Sequence, residues 1–346
     1  MTKKLRFALL GTGFWARFQL YGWLETGGVE CVAVYNRTRS KAETFAAEFG
    51  VPAVYDDVET LLASEQQLDF VDICTNVETH APFTRMAAER SLPVVCQKPM
   101  ATSLAEAEEM VATCAQKGVP LFINENWRWQ YPIRQFKRLL NEGRIGQPFR
   151  ARIDMISGFP VFKNQPFLAD LEQFVITDMG SHTLDVARSL FGEAHSLYCQ
   201  TRRVHPHIKG EDVATIMLKM GADVTVLVEM AYAENHLERE VFPETMIFVE
   251  GDKGSLELTP HFWIRETTAE GTFSKRFVPP RYAWADPAYD VAHSSIVPCQ
   301  ADILQGLLGH AAETTGADNL RTVRLVFGSY ESAARGQALG AASLGG

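Results

Sequence analysis

Leu5-Arg6-Phe7-Ala8-Leu9-Leu10-Gly11-Thr12-Gly13-Phe14-Trp15-Ala16 is the stretch on which the fold turns. A short apolar run, Arg6 to Leu10, stops at two glycines one residue apart, and a helical pattern follows at once. In such a strand, turn and helix, Gly11 permits the tight turn and Gly13 lets a pyrophosphate approach the backbone. Ala16 keeps the helix close to the strand, and the anion sits on the helix N-terminus. A glycine string of this kind is common in α/β proteins, so its weight depends on what surrounds it.

Working outward, further apolar runs occur at Glu30 to Tyr35, Phe70 to Cys74, Pro93 to Cys96 and Pro120 to Ile123, apolar on both faces as buried parallel strands are. Helical patterns separate them. Ser40 with Glu43 and Ser103 with Glu106 read as capping boxes, with stops at Gly50 and Gly118. The alternation predicts a doubly wound parallel sheet. After Asn124 the texture changes to partly alternating stretches: Phe149 to Ile156, Ser196 to Val204, Asp212 to Met220, Asp223 to Ala231, Thr245 to Glu250 and Ser255 to Leu258. Turns at Met220 to Asp223, Gly251 to Gly254 and Thr259 to His261 predict antiparallel hairpins. Helical patterns lie at Asp178 to Leu190, Gln300 to Leu308 and Asn319 to Ala338. The expected class is α/β plus α+β: a dinucleotide-binding domain over 1–124, and a substrate-binding and oligomerisation domain over 125–346 with an open, mostly antiparallel sheet and helices on one face.

Composition narrows the function. The 346 residues are 46% hydrophobic and 22% charged, as in ordinary globular proteins. A net charge of −9 excludes the electrostatic footprint of a nucleic-acid binder. No apolar run approaches the roughly 20 residues that span a bilayer. The opening Met-Thr-Lys-Lys-Leu-Arg has too short an apolar continuation for a signal peptide, so a cytoplasmic protein is expected. Cys31, Cys74, Cys96, Cys114, Cys199 and Cys299 are widely spaced, against both a zinc site and a disulfide framework.

The chemistry-bearing residues fall at strand ends and one helix start. Phe14, Trp15 and Ala16 flank the glycine turn. Asn36 stands where an acidic residue would bind the ribose of NAD, and Asn36-Arg37-Thr38-Arg39-Ser40-Lys41 offers cations to a 2′-phosphate, which leaves NAD and NADP both open. Thr75, Asn76 and His80 follow a strand end at the expected switch point and are expected to face the cofactor; His80 as a plain first-turn residue is the alternative. Gln97-Lys98-Pro99 ends another strand, and a lysine set beside a cationic ring suits a general base. Asp178 and His182 are spaced i, i+4, so both project from one helical face. Trp15, Arg17, Trp127, Arg128, Trp129 and Tyr131 offer a polyol-binding wall or, alternatively, packing. His205-Pro206-His207 has no matching ligand pair and reads as a loop, so no metal is expected.

Taken in order, these motifs resemble the Gfo/Idh/MocA family of oxidoreductases over nearly the whole chain. The matching segments are Gln97-Lys98-Pro99, Asn126-Trp127-Arg128-Trp129, the Gly143-Arg144-Ile145-Gly146 turn and Asp178-Met179-Gly180-Ser181-His182-Thr183-Leu184-Asp185. Two departures stand out: Gln97 for the family's usual glutamate, and Asn76-Val77 for its usual Pro-Asn. The resemblance implies an N-terminal Rossmann domain holding NAD(P), with NAD favoured, and catalysis by Lys98, Asp178 and His182, with Arg128 joining them in binding a sugar or polyol. Either Lys98 or His182 is the base, and a dimer or tetramer is implied. The competing expectation is a regulator or scaffold that keeps the fold without turnover, prompted by Gln97.

Overall fold

A computed structural model describes residues 4–221, 223–233 and 240–345. Ala222, in one expected turn, lies outside them. The chain divides into two units, Met1–Glu125 with Ile296–Leu320, and Asn126–Ser295 with Arg321–Gly346.

The first unit alternates strand and helix: β1 (Leu5–Leu10), α1 (Phe14–Thr26), β2 (Val29–Tyr35), α2 (Arg39–Phe49), β3 (Ala53–Tyr55), α3 (Val58–Ser64), β4 (Phe70–Ile73), α4 (His80–Glu89), β5 (Val94–Gln97), α5 (Leu104–Lys117) and β6 (Leu121–Asn124). The six strands are parallel in the order β3-β2-β1-β4-β5-β6. This is the doubly wound Rossmann order, with its switch point between β1 and β4. Phe7, Trp23 and Phe70 pack together at its centre, fully buried.

Of the two expected capping boxes, Ser103 does accept the Glu106 amide, 3.2 Å, while Glu106 reaches back to the Thr102 amide, 3.1 Å. The other is corrected. Thr38 is the N-cap of α2 and makes no side-chain cap, and the Ser40 carbonyl instead accepts the Thr44 hydroxyl, 2.9 Å.

The second unit comprises α6 (Tyr131–Asn141), β7 (Pro148–Ile156), α7 (Val161–Asn164), α8 (Ser181–Phe191), β8 (Ala194–Arg202), β9 (Val213–Met220), β10 (Thr225–Ala231), β11 (Met246–Gly251), β12 (Gly254–Thr259), β13 (Trp263–Thr268), β14 (Gly271–Arg276) and, near the C-terminus, β15 (Leu339–Gly340). Two long helices, α9 (Asp290–Leu307) and α10 (Gly316–Arg335), complete the chain. The nine strands order as β14-β13-β12-β11-β7-β10-β9-β8-β15. All pairs are antiparallel except β7 with β10. Burial alternates along β7, β9 and β10, so one face of the sheet is covered and the other is not.

The expected division at 124/125 needs a correction at the far end. Ile296–Leu320 rejoins the first unit. Gly22 on α1 supplies the reason, since any side chain there would collide with Ile296 and Gln300. Gln300 Nε2 donates to the Gln19 carbonyl, 2.9 Å, and Phe122 on β6 bridges to Thr315. Close packing without a Cβ thus docks a late segment onto an early helix.

Candidate active site

In the first unit, β1, β4 and β5 end level with one another: Leu10 pairs with Ile73, and Ile73 with Cys96. Gly11, Thr75 and Lys98 therefore emerge at the same edge of the sheet. Gly11 has φ +109°, and a Cβ there would lie 2.5 Å from the Cys74 carbonyl oxygen. Only glycine fits this turn.

The cradle suits a dinucleotide on three counts. A Cβ on Gly13 would meet nothing within 4 Å, leaving the backbone open to an approaching group. The Thr12 hydroxyl is buried without a partner among the described residues. Helix α1 starts with no side-chain cap and no acidic residue in its first turn, so its free amides and dipole face an anion. Phe14 is exposed beside the turn, Trp15 is half-buried against Phe18, and Ala16 is fully buried.

At the end of β2, Asn36 donates to the Thr38 carbonyl, 3.0 Å. Arg37 and Lys41 stand exposed, while Arg39 is engaged by Glu43 at 3.0 Å and Asp56 at 3.6 Å. After β4, Thr75 and Thr79 join hydroxyls at 2.7 Å and Asn76 is exposed.

His80 takes the first-turn position given as the alternative, at the start of α4. Its buried ring lies 3.0 Å from the Pro99 carbonyl, 3.3 Å from that of Met100 and 3.1 Å from that of Thr75. Burial lowers its pKa. It ties the loop after β4 to the segment that follows Lys98.

Below Lys98 lies a buried polar network that the sequence did not announce. Asp72, in the middle of β4, accepts from Trp23 Nε1 at 2.6 Å, Gln19 Nε2 at 3.1 Å and Asn124 Nδ2 at 3.4 Å. Burial pushes its carboxyl up to about 6 against the pull of these donors. Gln97 donates to Gln19 Oε1, 3.0 Å, and accepts the Lys98 amide at 3.3 Å. Lys98 itself is half-buried, and its bond to Pro99 is cis.

In the second unit, Asp178 does not open an ordinary α-helix as expected. It sits in a π-helical turn, Ile176–Gly180, that runs into α8. Such turns recur at functional sites. The turn is clamped from outside: Glu211 accepts the Phe174 amide at 3.2 Å, the Ile176 amide at 3.1 Å and the Tyr330 hydroxyl at 2.8 Å. The Tyr330 oxygen in turn accepts the Thr177 amide, 3.0 Å. Asp178 receives the hydroxyl of buried Tyr232, whose pKa burial and this carboxylate push far up.

His182, on the first turn of α8, is buried and stacks on Trp127, centroids 4.1 Å apart. Trp127 is itself held by Thr245, 2.9 Å. The buried guanidinium of Arg128 grips both carboxylate oxygens of Asp185, Nε to Oδ2 at 2.6 Å, and so anchors the helix that carries His182. Trp129 is also buried, beneath Arg134, and Arg17 pairs with Glu48 at 2.8 Å. Tyr131 is partly exposed.

His205 is closed on Asp212, 2.6 Å. Among the described residues no group of three or more His, Cys, Asp or Glu is placed to hold a metal ion. No helix there is long and apolar enough to cross a membrane.

Sequence comparison matches residues 5–125 to the oxidoreductase family with an NAD-binding Rossmann fold, GFO_IDH_MocA, and residues 133–257 to the GFO/IDH/MocA C-terminal domain. The chain is 40% identical to a D-apiose dehydrogenase of Rhizobium rhizogenes over 96% of each chain. It is 39% identical to a D-apiose dehydrogenase of Paraburkholderia graminis, over 99% of this chain and 91% of that one. An oxidoreductase from Agrobacterium radiobacter, solved with NAD+, L-tartaric acid and magnesium, is 39% identical and superposes with a TM-score of 0.95 over 99% of both chains.

Proposed function

The chain belongs to the Gfo/Idh/MocA family of oxidoreductases, its first unit being an NAD-binding Rossmann domain, and on that premise we propose that it dehydrogenates a free sugar, D-apiose before others, at the C1 hydroxyl. The observation that carries the reading is the near full-length identity of 40% with a D-apiose dehydrogenase, in a chain that carries Lys98, Asp178 and His182.

When bound, the nicotinamide accepts the hydride that leaves C1. The chain's own residues handle the proton and the hydroxyls. Lys98, fixed at the carboxyl end of β5, takes the C1 hydroxyl proton at Nζ, and the product is a lactone. Asp178, oriented by Tyr232, accepts a hydrogen bond from the sugar, and His182, held flat by Trp127, donates or accepts a second. Gly11, Gly13 and the α1 amides receive the pyrophosphate, with Phe14, Trp15 and Ala16 beside it and Asn36, Arg37, Thr75 and Asn76 around the remainder.

A panel of aldoses including D-apiose, offered with NAD+ and with NADP+, tests the reading through the absorbance of reduced cofactor. We expect D-apiose with NAD+ to give the highest kcat/KM. Absence of turnover with every sugar, alongside intact dinucleotide binding, would replace the enzyme with a binding regulator.

A further inference from the structure

The buried network under Lys98 has a direction. Asp72 Oδ2 accepts from the Gln19 amide, Gln19 Oε1 accepts from the Gln97 amide, and Gln97 Oε1 accepts from the Lys98 backbone N–H. Each glutamine thus donates toward Asp72 and accepts from the side of Lys98. The orientation is forced, because a carboxylate offers only acceptors and its neighbour must turn its NH2 group to it. Trp23, Asn124 and the Cys74 thiol aim three further donors at Asp72, so the carboxylate end of the line cannot rotate away. Gln19 is pinned in turn, its own backbone carbonyl held by Gln300. Asp72 is fully buried, and Gln19 and Gln97 are nearly so. Burial of this kind is costly unless the network is complete, and a complete network fixes position.

We propose that Asp72 is a positioning residue for Lys98, acting through Gln19 and Gln97 as a polarised relay that fixes where the Lys98 segment leaves β5. The inference rests on the reading of Lys98 as the base. It also dictates why position 97 is an amide. A glutamate there would put acceptors at both ends of Gln19, leaving Gln19 Oε1 without its donor and a second carboxylate buried near the first. Gln19 and Trp23 donate to the same oxygen of Asp72, so the line is tested by cutting it and not by reversing it.

The test is a cycle of wild type, Gln19→Met, Gln97→Met and the double variant, in which either single substitution cuts the bond between Gln97 and Gln19. Three quantities are read: the melting temperature without cofactor, kcat and KM with the sugar, and the rate at which an amine reagent modifies Lys98, followed by mass spectrometry. We expect each single substitution to lower the melting temperature by roughly 4–10 °C, from an unsatisfied buried group in a unit of this size. We expect kcat to fall about tenfold or more with KM little changed, because a misplaced reacting group costs at least this much. Lys98 should be modified faster in both. The double variant should lose little more than either single one, because both partners of the same bond are then gone. Additive losses in the double variant would overturn the relay, since uncoupled sites add. Lower stability with unchanged kcat and unchanged Lys98 reactivity would overturn the positioning role. Should the single variants not fold, Gln97→Glu withdraws only the donor to Gln19 Oε1 while leaving Asp72 its donors, and wild-type kcat and Lys98 reactivity in it would refute the proposal. If wild type turns over no sugar, the enzymatic reading has failed, and the melting and labelling cycle still decides the relay.

Discussion

In the proposed reaction Lys98 and His182 are the two candidates for the base, and their surroundings differ in kind. Lys98 is half-buried at a strand end, whereas His182 is buried and lies flat on an indole. We therefore expect Lys98→Met to remove most of kcat and His182→Asn mainly to raise KM. Steady-state kinetics on both variants decide it, and the inverse pattern would transfer the base to His182. At this scale the sequence was most readable where the backbone does the work. Gly11 and Gly13 followed from what a turn and an open amide require. It was least readable where a polar side chain is spent on the protein itself. Arg128 and His80 carry the right chemistry in the right segments, yet Asp185 and three backbone carbonyls occupy them. Residue type records what a side chain can do, and only its neighbours record whether it is still available. Asp72 shows the same in reverse: inside an apolar strand, with partners 53 and 52 positions away at Gln19 and Asn124, nothing local marks it.

Among the elements, β7 and β10 bring two carboxylates together, because their register pairs Asp154 with Glu229. Burial first, and Glu229 among the further causes, raise Asp154 to about 6, against the pull of Arg152. This pKa lies above the unfolded value near 3.9, so the stability Asp154 contributes is full at low pH and is lost as pH rises through about 6. Asp154→Asn removes that loss. We expect the variant to match wild type near pH 4 and to gain of order 1 kcal/mol above pH 7, after allowance for screening and for the lost Arg152 pair. Thermal melts across that range check the sign, and a variant less stable than wild type above pH 7 would refute it. Buried strands were legible from their apolar runs. Strands β13 and β14 were not, because every residue of β14 is exposed and β13, Trp-Ile-Arg-Glu-Thr-Thr, keeps its apolar residues to its first two positions, which leaves no hydrophobic period to read. The π-helical turn was equally hidden, since Glu211 and Tyr330, which hold it, are remote in sequence.

For the molecule as a whole, the uncovered face of the nine-stranded sheet carries an in-register row, Tyr198, Met217, Leu227, Arg152 and Phe248, across five strands. Met217 there is 49% exposed. A row of four apolar side chains with one arginine on an open sheet face marks an interaction surface, and we propose that a second copy of the chain covers it. Sedimentation at micromolar concentration should give a dimer or tetramer, and Met217→Lys with Leu227→Asp should shift it toward the 38.6 kDa monomer. A monomeric wild type would sink the idea. The two-unit plan was legible because parallel and antiparallel strands have different hydrophobic periods. The return of Ile296–Leu320 was not, because a helix that crosses from one unit to the other carries no break in its own pattern. That return also sets an order of assembly. A ribosome delivers Gly22 and Gln19 long before Ile296, Gln300 and Thr315, so the unit begun first stays incomplete until most of the chain has been made. Until then the nascent Rossmann sheet waits with the Gly22 side of α1 bare, uncovered surface of the kind that chaperones shield.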